Sequence, residues 1–190
     1  MAAPARDHRS PLPFSVPALV RHAIAVRVGE LGADEIAILR AASVCGQALD
    51  LELIAHVAER PAAEVERALP AFERRYLVQF DGKRYTFAAP LVAEVVRAEC
   101  LTRGQRRGLE RRASEALTPR TDLEGRALRV ELLAHAAPDQ SAYDLAIQVG
   151  WDALKGGARR IARRAALTAE RISRDAQLDR QKLDELRAQL

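Results

Sequence analysis

Cysteines, aromatic residues and long apolar runs are all scarce in this sequence of 190 residues. The only two cysteines are Cys45 and Cys100, which provide no disulfide framework, so we expect a protein of the reducing cytoplasm. No apolar run approaches the roughly eighteen residues that a membrane-spanning helix needs, and the N-terminus carries no apolar signal-peptide core. Aromatic residues make up 4% of the chain, which disfavours a β-sandwich.

The abundant residues indicate closely packed helices. Alanine occupies 37 positions and hydrophobic residues make up 48% of the chain, a composition that favours helix over strand. The 30 basic and 26 acidic residues nearly balance, so the net charge of +4 does not by itself indicate a partner such as nucleic acid. Composition therefore predicts a mainly α-helical protein without predicting what it does.

Patterns that carry catalysis or bind metals and cofactors are missing from the sequence. The four histidines show none of the spacings of a metal site or a metalloprotease. No Gly-x-Ser-x-Gly turn occurs, and both cysteines fit small core positions better than catalytic ones. No glycine-rich phosphate loop ends in Gly-Lys-Ser or Gly-Lys-Thr. We therefore expect a protein that is not an enzyme, with no catalytic, metal or cofactor-binding residues.

The first half of the chain is predicted to fold as one small domain behind a lead-in. Residues 1–14 are expected to be disordered, and a helix is expected to open between Ser15 and Pro17. Three more helices follow, and Pro70 inside the last of them should kink it or shorten it by a turn. The predicted first residues or caps of these three helices are Asp34, Asp50 and Pro61.

A β-hairpin is predicted directly after these helices. Residues 76–80 and 83–87 alternate between apolar and polar side chains, and Asp81 and Gly82 between them match a two-residue type I′ turn. Three helices followed by a hairpin is the order of a winged helix, whose third helix is the usual recognition helix. We therefore predict a winged-helix-like domain over residues 15–101.

The second half of the chain, residues 102–190, is predicted to be a helical domain of the tetratricopeptide type. A 34-residue helix-turn-helix repeat that starts at Tyr143 has small residues at the positions that need them. Gly150 falls where the two helices cross and Gly157 in the turn. The small residues of the helix seam are Ala162, Ala166 and Ala169.

Several of these segments resemble a known family. The segments are residues 16–31, residues 38–46, residues 50–54, the run from Tyr85 to Val96, and Leu133-Ala134-His135. Together they resemble the region that follows the nucleotide-binding domain of bacterial STAND-class signalling ATPases, the regulators that carry LuxR-type or cyclase domains with tetratricopeptide arrays. The resemblance covers residues 16 to 172. It implies a winged helix plus a helical array that relays the state of an ATPase to an effector.

The sequence also departs from that family. The family's phosphate loop is missing from the chain. In many relatives a histidine that follows the second strand of the hairpin is thought to contact ADP, whereas this chain has Ala89 at about that place. Because alanine has no side-chain donor for a phosphate, nucleotide sensing through this domain is not expected.

Two functions follow from this organisation. The first is a non-catalytic regulatory module of a signal-transducing or transcription-regulating bacterial protein, which acts by binding another protein. The alternative is a DNA-binding transcription regulator that uses residues 62–75 as its recognition helix. Against DNA binding, that helix has no net charge and contains Pro70. The candidate DNA contacts are Arg67, Arg74, Arg75, Lys83 and Arg84.

The predicted protein partner lies at the C-terminal helical edge. The last seventeen residues carry spaced apolar side chains that fit either a short coiled-coil seam or the first helix of a next repeat. Either arrangement predicts an open apolar edge that is capped by more chain, by a second copy in a homo-oligomer or by a partner. Two clusters of basic residues, around Arg103–Arg112 and Lys155–Arg164, fit solvated helix faces or a surface for an acidic protein or nucleic acid.

Overall fold

The computed structural model describes residues 18–190, and this part of the chain is mainly helical with one small antiparallel sheet. The predicted lead-in at residues 1–14 and the helix start at Ser15 and Pro17 lie outside the described residues. The helices are α1 (Ala18–Gly29), α2 (Ala33–Val44), α3 (Leu51–Ala58), α4 (Ala62–Arg74), α5 (Pro90–Glu99), α6 (Arg103–Ala116), α7 (Leu123–Ala136), α8 (Gln140–Lys155), α9 (Arg159–Asp175) and α10 (Gln181–Arg187). The strands are β1 (Val78–Phe80) and β2 (Tyr85–Phe87).

Side-chain caps begin four of these helices. The side chains of Asp50, Thr102, Asp122 and Asp139 each accept a hydrogen bond from a backbone N–H of the first turn. The prediction that Asp34 caps α2 is wrong. Gly32 precedes that helix, and its N–H donates to Glu35 Oε2 at 2.8 Å, so Asp34 lies inside the first turn.

Pro70 does not shorten α4. The helix continues to Arg74, four residues beyond the proline, and Pro61 precedes its first residue as predicted. The side chain of Pro70 is exposed, while Leu69 and Phe72 on the opposite face are buried. The missing N–H of Pro70 therefore lies on the solvent side of the helix, where water can satisfy the freed carbonyl.

The predicted hairpin is present, but its turn lies one residue later than predicted. The strands pair with Phe80 opposite Tyr85, and the Asp81 N–H donates to the Arg84 carbonyl at 3.1 Å. Gly82 and Lys83 are thus the central turn residues, with Gly82 at a φ of 92°. The cause is the Asp81 side chain, because its Oδ1 accepts the N–H groups of Lys83 and Arg84, both at 2.9 Å.

A short segment between α2 and α3 adds to this sheet. Ala48 forms a bridge with Thr86, the Leu49 N–H donates to the Tyr85 carbonyl at 2.9 Å, and the Phe87 N–H donates to the Gln47 carbonyl at 3.2 Å. These bonds attach the hairpin to the connection that leads into α3. The sequence pattern did not predict this segment.

Two apolar cores organise the described residues. The first is built by α1 to α5 and the hairpin, with Leu39, Phe72, Leu77 and Phe87 fully buried. Side chains of α6, including Ala113, also belong to this first core. The predicted boundary between residues 101 and 102 stays a prediction, and α6 packs against helices on both sides of it.

The second core is built by α7 to α10. Ala162, Ala166 and Ala169 of α9 are buried in this core, where α9 packs against α7, α8 and α10. Their place in the seam of a helical repeat stays a prediction. The side chain nearest to a Cβ placed on Gly150 is Leu186 of α10, and the predicted place of Gly150 at the crossing of α8 and α9 stays a prediction. Gly157 lies in the turn between α8 and α9 with a φ of 73°.

The last helix closes this core. Leu183 and Leu186 of α10 are fully buried against α8 and α9, whereas the outward side chains of α10 are polar. The open apolar edge expected at the C-terminus is therefore not present in the described residues. Within residues 18–190, none of the helices has both the length and the apolar content needed to cross a bilayer.

Candidate functional site

The five candidate DNA contacts lie on α4 and on the hairpin loop, and they divide into two groups. Arg75 donates to the Glu30 carbonyl at 3.0 Å and lies 3.7 Å from the Glu30 carboxylate, while Arg84 lies 3.7 Å from Asp81. The other three cations, Arg67, Arg74 and Lys83, are exposed and have no carboxylate partner in the described part of the chain. Only these three have charges free to meet phosphates.

Exposed apolar side chains concentrate on a different part of the same half. Six large hydrophobic side chains are strongly exposed in the described residues, and five of them belong to α1 or to the region from Tyr76 to Phe80. We call these five side chains the α1–hairpin surface. They are Leu19, Val20, Val26, Tyr76 and Phe80.

Tyr76 is the most unusual residue of the α1–hairpin surface. Its φ is 54°, a left-handed conformation that few residues other than glycine adopt, and its side chain is 73% exposed. The Arg27 guanidinium lies 6.0 Å from the centre of the Tyr76 ring, which connects α1 to the start of the hairpin. Phe80 is 53% exposed and packs on Tyr85 with the ring centres 5.1 Å apart. Two aromatic rings are thus held at the surface by defined contacts.

A groove rich in arginine is lined by residues of α5, α6, α7 and α9. Three adjacent cavities of about 300, 390 and 350 Å³ all include His135 in their walls. We call them together the His135 groove. Its basic side chains are Arg97, Arg103, Arg106, Arg107, Arg164 and Arg171, and its carboxylates are Glu110, Glu131 and Asp175.

The positive charge of this groove is only partly neutralised. Arg106 pairs with Glu110 and Arg164 pairs with Glu131, each at 2.7 Å. In contrast, Arg97, Arg103 and Arg107 have no carboxylate partner in the described ranges. The six lining guanidinium groups outnumber the three lining carboxylates, although Arg164 also lies 3.7 Å from Glu124 beside the groove.

The pKa of His135 is lowered in part by this positive charge. Its Nε2 lies 3.1 Å from Arg171 Nη1, which donates to it when the ring is neutral. Burial and then the charges of Arg171, Arg106 and Arg97 lower the pKa of His135 to about 4. Burial and then the charge of Arg106 also lower the pKa of Arg97, which donates to the Ser43 carbonyl.

The basic residues of α6 are evident in the sequence, but the groove is not. Arg111 and Arg112 of the same basic cluster line a different cavity, and Arg112 pairs with Glu59, the residue that follows α3. The groove also needs Arg97, His135 and Arg171, which come from segments far apart in the chain. One local signal was available, because α6 has no acid in its first turn and carries three arginines within its first five residues.

A further cavity of about 520 Å³ lies between α2, α3 and α6. Its wall is mostly apolar, with Ala37, Ala58, Leu101 and Leu109 among its lining residues. Its charged members include the paired Arg112 and Glu59. This pairing leaves no obvious acid or base for chemistry in the cavity.

Nucleophilic side chains in the first core, such as those of Cys45 and Ser43, are buried. Cys45 is buried, and this burial raises the pKa of its thiol, so the reactive thiolate is disfavoured. The Ser43 hydroxyl donates to the Arg40 carbonyl at 2.7 Å inside the same helix. Within residues 18–190 no group of three histidine, cysteine or acidic side chains is placed to hold a metal ion.

Comparison of the chain with protein-family models, with curated proteins and with solved structures finds no match. The surfaces described above therefore carry the functional interpretation.

Proposed function

We propose that this protein is a non-catalytic regulatory module of the bacterial cytoplasm that acts by binding another protein. We further propose the fold that its sequence resembles, a winged helix followed by a tetratricopeptide-like array, as in STAND-class signalling ATPases. No residue of the chain is proposed to bind a nucleotide, and Ala89, at the place of the family's histidine, offers no side-chain donor.

The order of the elements supports the winged-helix proposal. Helices α2, α3 and α4 precede the hairpin, and the segment around Ala48 pairs with β2 between the first two of these helices. This isolated bridge attaches the hairpin to the helices that precede it, which supports the interpretation of the hairpin as a wing. The helical pair α8 and α9, with its buried alanines and Gly157 turn, supports the repeat proposal.

The α1–hairpin surface is the observation that carries the proposed protein-binding function. Exposed large apolar side chains concentrated on two elements favour an interaction surface, and the contact of Arg27 with the Tyr76 ring links these two elements. Aromatic residues are enriched among the few residues that carry most of the binding energy of an interface. Elsewhere in the described residues Leu167 is the one large hydrophobic side chain that is strongly exposed. The charged residues Arg27, Arg74 and Lys83 neighbour this surface in sequence or space, so the partner is expected to be apolar with acidic residues at its rim.

The proposed docking surface differs from the C-terminal edge at which the sequence predicts a partner. That edge was expected to be apolar, but α10 presents polar side chains outward and buries its leucines. A partner at the C-terminal edge stays a prediction, and the described side chains give it no apolar surface there. We therefore propose that the partner docks on the α1–hairpin surface.

Self-association in the absence of a partner tests this surface. We expect the wild-type chain to self-associate as its concentration rises, because the exposed apolar side chains pair with those of a second copy. The double variant Tyr76→Asn and Phe80→Thr should raise the dissociation constant by about tenfold, since interface aromatics dominate such contacts. Asparagine tolerates the left-handed conformation of residue 76, so the fold is preserved.

Sedimentation velocity over a concentration series measures this effect. The matched control is Leu167→Ser, which removes a side chain that is 64% exposed on α9, outside the α1–hairpin surface. The control should behave like the wild type. A wild-type chain that stays monomeric up to its solubility limit would contradict the proposal, and so would an equal effect of the control.

DNA binding is the second candidate function, and the exposed cations of α4 and the hairpin loop favour it. Arg67, Arg74 and Lys83 offer about three phosphate contacts, fewer than the six to ten that make binding strong and steeply salt-dependent. Fluorescence anisotropy with a mixed-sequence duplex at low and moderate salt should therefore show no saturable binding. Saturable binding that Arg74→Ala and Lys83→Ala together abolish would establish the alternative instead.

A further inference from the structure

The arginines of the His135 groove converge from separate helices. Arg97 comes from the last turn of α5, Arg103 and Arg107 from the first turns of α6, and Arg171 from α9. His135 near the end of α7 is shared by all three cavities. Arg103, Arg106, Arg107 and Arg171 line one cavity of about 390 Å³ with Glu110 and Asp175, so cations outnumber carboxylates in that cavity by two.

This arrangement is unfavourable without a negative partner. Arg103, Arg106 and Arg107 lie in the first turns of α6, where the helix dipole favours anions over cations. Burial lowers the pKa of both His135 and Arg97 most, and the charges of neighbouring arginines lower both further. An anion in the groove would offset the arginine charges and the unfavourable placement of cations at the start of α6.

One donor in the groove also lacks a partner. The Nε of Arg171 is buried and makes no hydrogen bond within the described residues, while its Nη1 bonds to His135. Buried donors in proteins nearly always have an acceptor, so an unpartnered one marks a place where an acceptor is expected. Oxygen atoms of a bound anion are acceptors of the required kind.

We propose that the His135 groove binds a compact polyvalent oxyanion, the phosphate or diphosphate group of a small molecule. This site is additional to the proposed protein-binding surface. Guanidinium groups match phosphate oxygens in geometry and charge. A compact anion fits open cavities of 300 to 390 Å³ lined by residues of four helices. An acidic peptide or a nucleic acid strand distributes its charges along a line and fits a converging set less well.

Titration of the full chain with inorganic pyrophosphate at constant ionic strength tests the proposal. The imidazole resonances are followed by NMR, and His135→Asn identifies the signal of His135. We expect a saturable shift of that signal and a pKa of His135 that rises by about one unit when pyrophosphate is bound, because the anion offsets the arginine charges.

A pair of charge variants shows whether the groove itself binds. Arg103→Gln with Arg107→Gln, both exposed at the rim, should weaken pyrophosphate binding by about tenfold. Arg159→Gln with Arg163→Gln removes the same charge from exposed positions that do not line the groove, and should change affinity by less than about twofold. Circular dichroism checks that both variants are folded.

Three results would overturn the proposal. The first is a His135 signal that does not saturate at millimolar pyrophosphate. The second is an equal loss of affinity in the two charge variants, which indicates non-specific attraction. The third is an oligoglutamate peptide or a short DNA duplex that shifts His135 at lower concentration than pyrophosphate does. None of these results bears on the α1–hairpin surface, so this site and the proposed function fail independently.

Discussion

The side chain of His135 has a pKa that the surrounding fold lowers to about 4. Charged groups face it from every helix packed around it. These groups are Arg97 of α5, Arg103, Arg106, Arg107 and Glu110 of α6, Glu131 of α7, and Arg164, Arg171 and Asp175 of α9. Because the cations outnumber the carboxylates, protonation of the ring is disfavoured in the folded state.

Stability should therefore depend on pH through His135. Its pKa is about 4 in the folded protein and about 6.5 in the unfolded chain, so the unfolded chain binds more protons between these values. The stabilisation is fully present above pH 6.5 and is lost as the pH falls to about 4. We expect the wild type to lose roughly 1 kcal/mol relative to His135→Asn over this range, after allowance for solvent screening of a partly exposed ring.

Thermal unfolding of both proteins across this pH range measures the difference. The difference in stability between the wild type and His135→Asn at high pH, where the wild-type ring is neutral, is the reference for the difference at low pH. Parallel pH profiles for the two proteins would show that His135 is not electrostatically coupled to the groove.

At the scale of single helices, two glycines differ in how much space surrounds them, so replacing them by alanine should have opposite effects on stability. A Cβ added at Gly150 in α8 comes within 2.5 Å of the Leu186 side chain, which is fully buried and has little room to move. A Cβ added at Gly108 in α6 meets no atom within 4 Å. The first glycine permits a close approach of two helices, and the second lies in an open part of its helix.

The same substitution should change stability in opposite directions at these sites. Gly108→Ala should stabilise the protein by about 0.5 to 1 kcal/mol through helix propensity. Gly150→Ala gains the same propensity but overpacks the contact with Leu186, at a cost of about 1 to 3 kcal/mol, so a net loss is expected. Urea unfolding measures both variants.

Removal of the contact tests the reason for this difference. In a Leu186→Ala background, Gly150→Ala should no longer destabilise, so the two substitutions are expected to be strongly non-additive. Additive effects would show that Leu186 is not what limits the size of residue 150.

The hairpin shows which parts of an element the sequence predicts. Alternation of side chains and the Asp-Gly pair predicted two antiparallel strands at the right place, and this is confirmed. The register was wrong because the Asp81 side chain binds two backbone N–H groups and moves the turn to Gly82 and Lys83. The bridge at Ala48 was not predictable from local pattern, since its partner Thr86 lies far along the chain.

At the scale of the whole molecule, local patterns predicted the helices but not the surfaces between them. The mainly α-helical class followed from alanine and periodicity, and it is confirmed. The apolar residues of the last helix predicted an open edge, but Leu183 and Leu186 fold back onto α8 and α9. The His135 groove depends on how α5, α6, α7 and α9 pack, which no single segment of the sequence encodes.

The central claim is that the molecule binds protein through the α1–hairpin surface, and hydrogen–deuterium exchange at low and high protein concentration tests it most directly. Self-association at high concentration should slow exchange in residues 18–29 and 76–87, because contact with a second copy shields these backbone amides. Slower exchange confined to residues 159–190 would contradict the claim by placing the interface at the C-terminal edge. Unchanged exchange throughout the chain would contradict it as well.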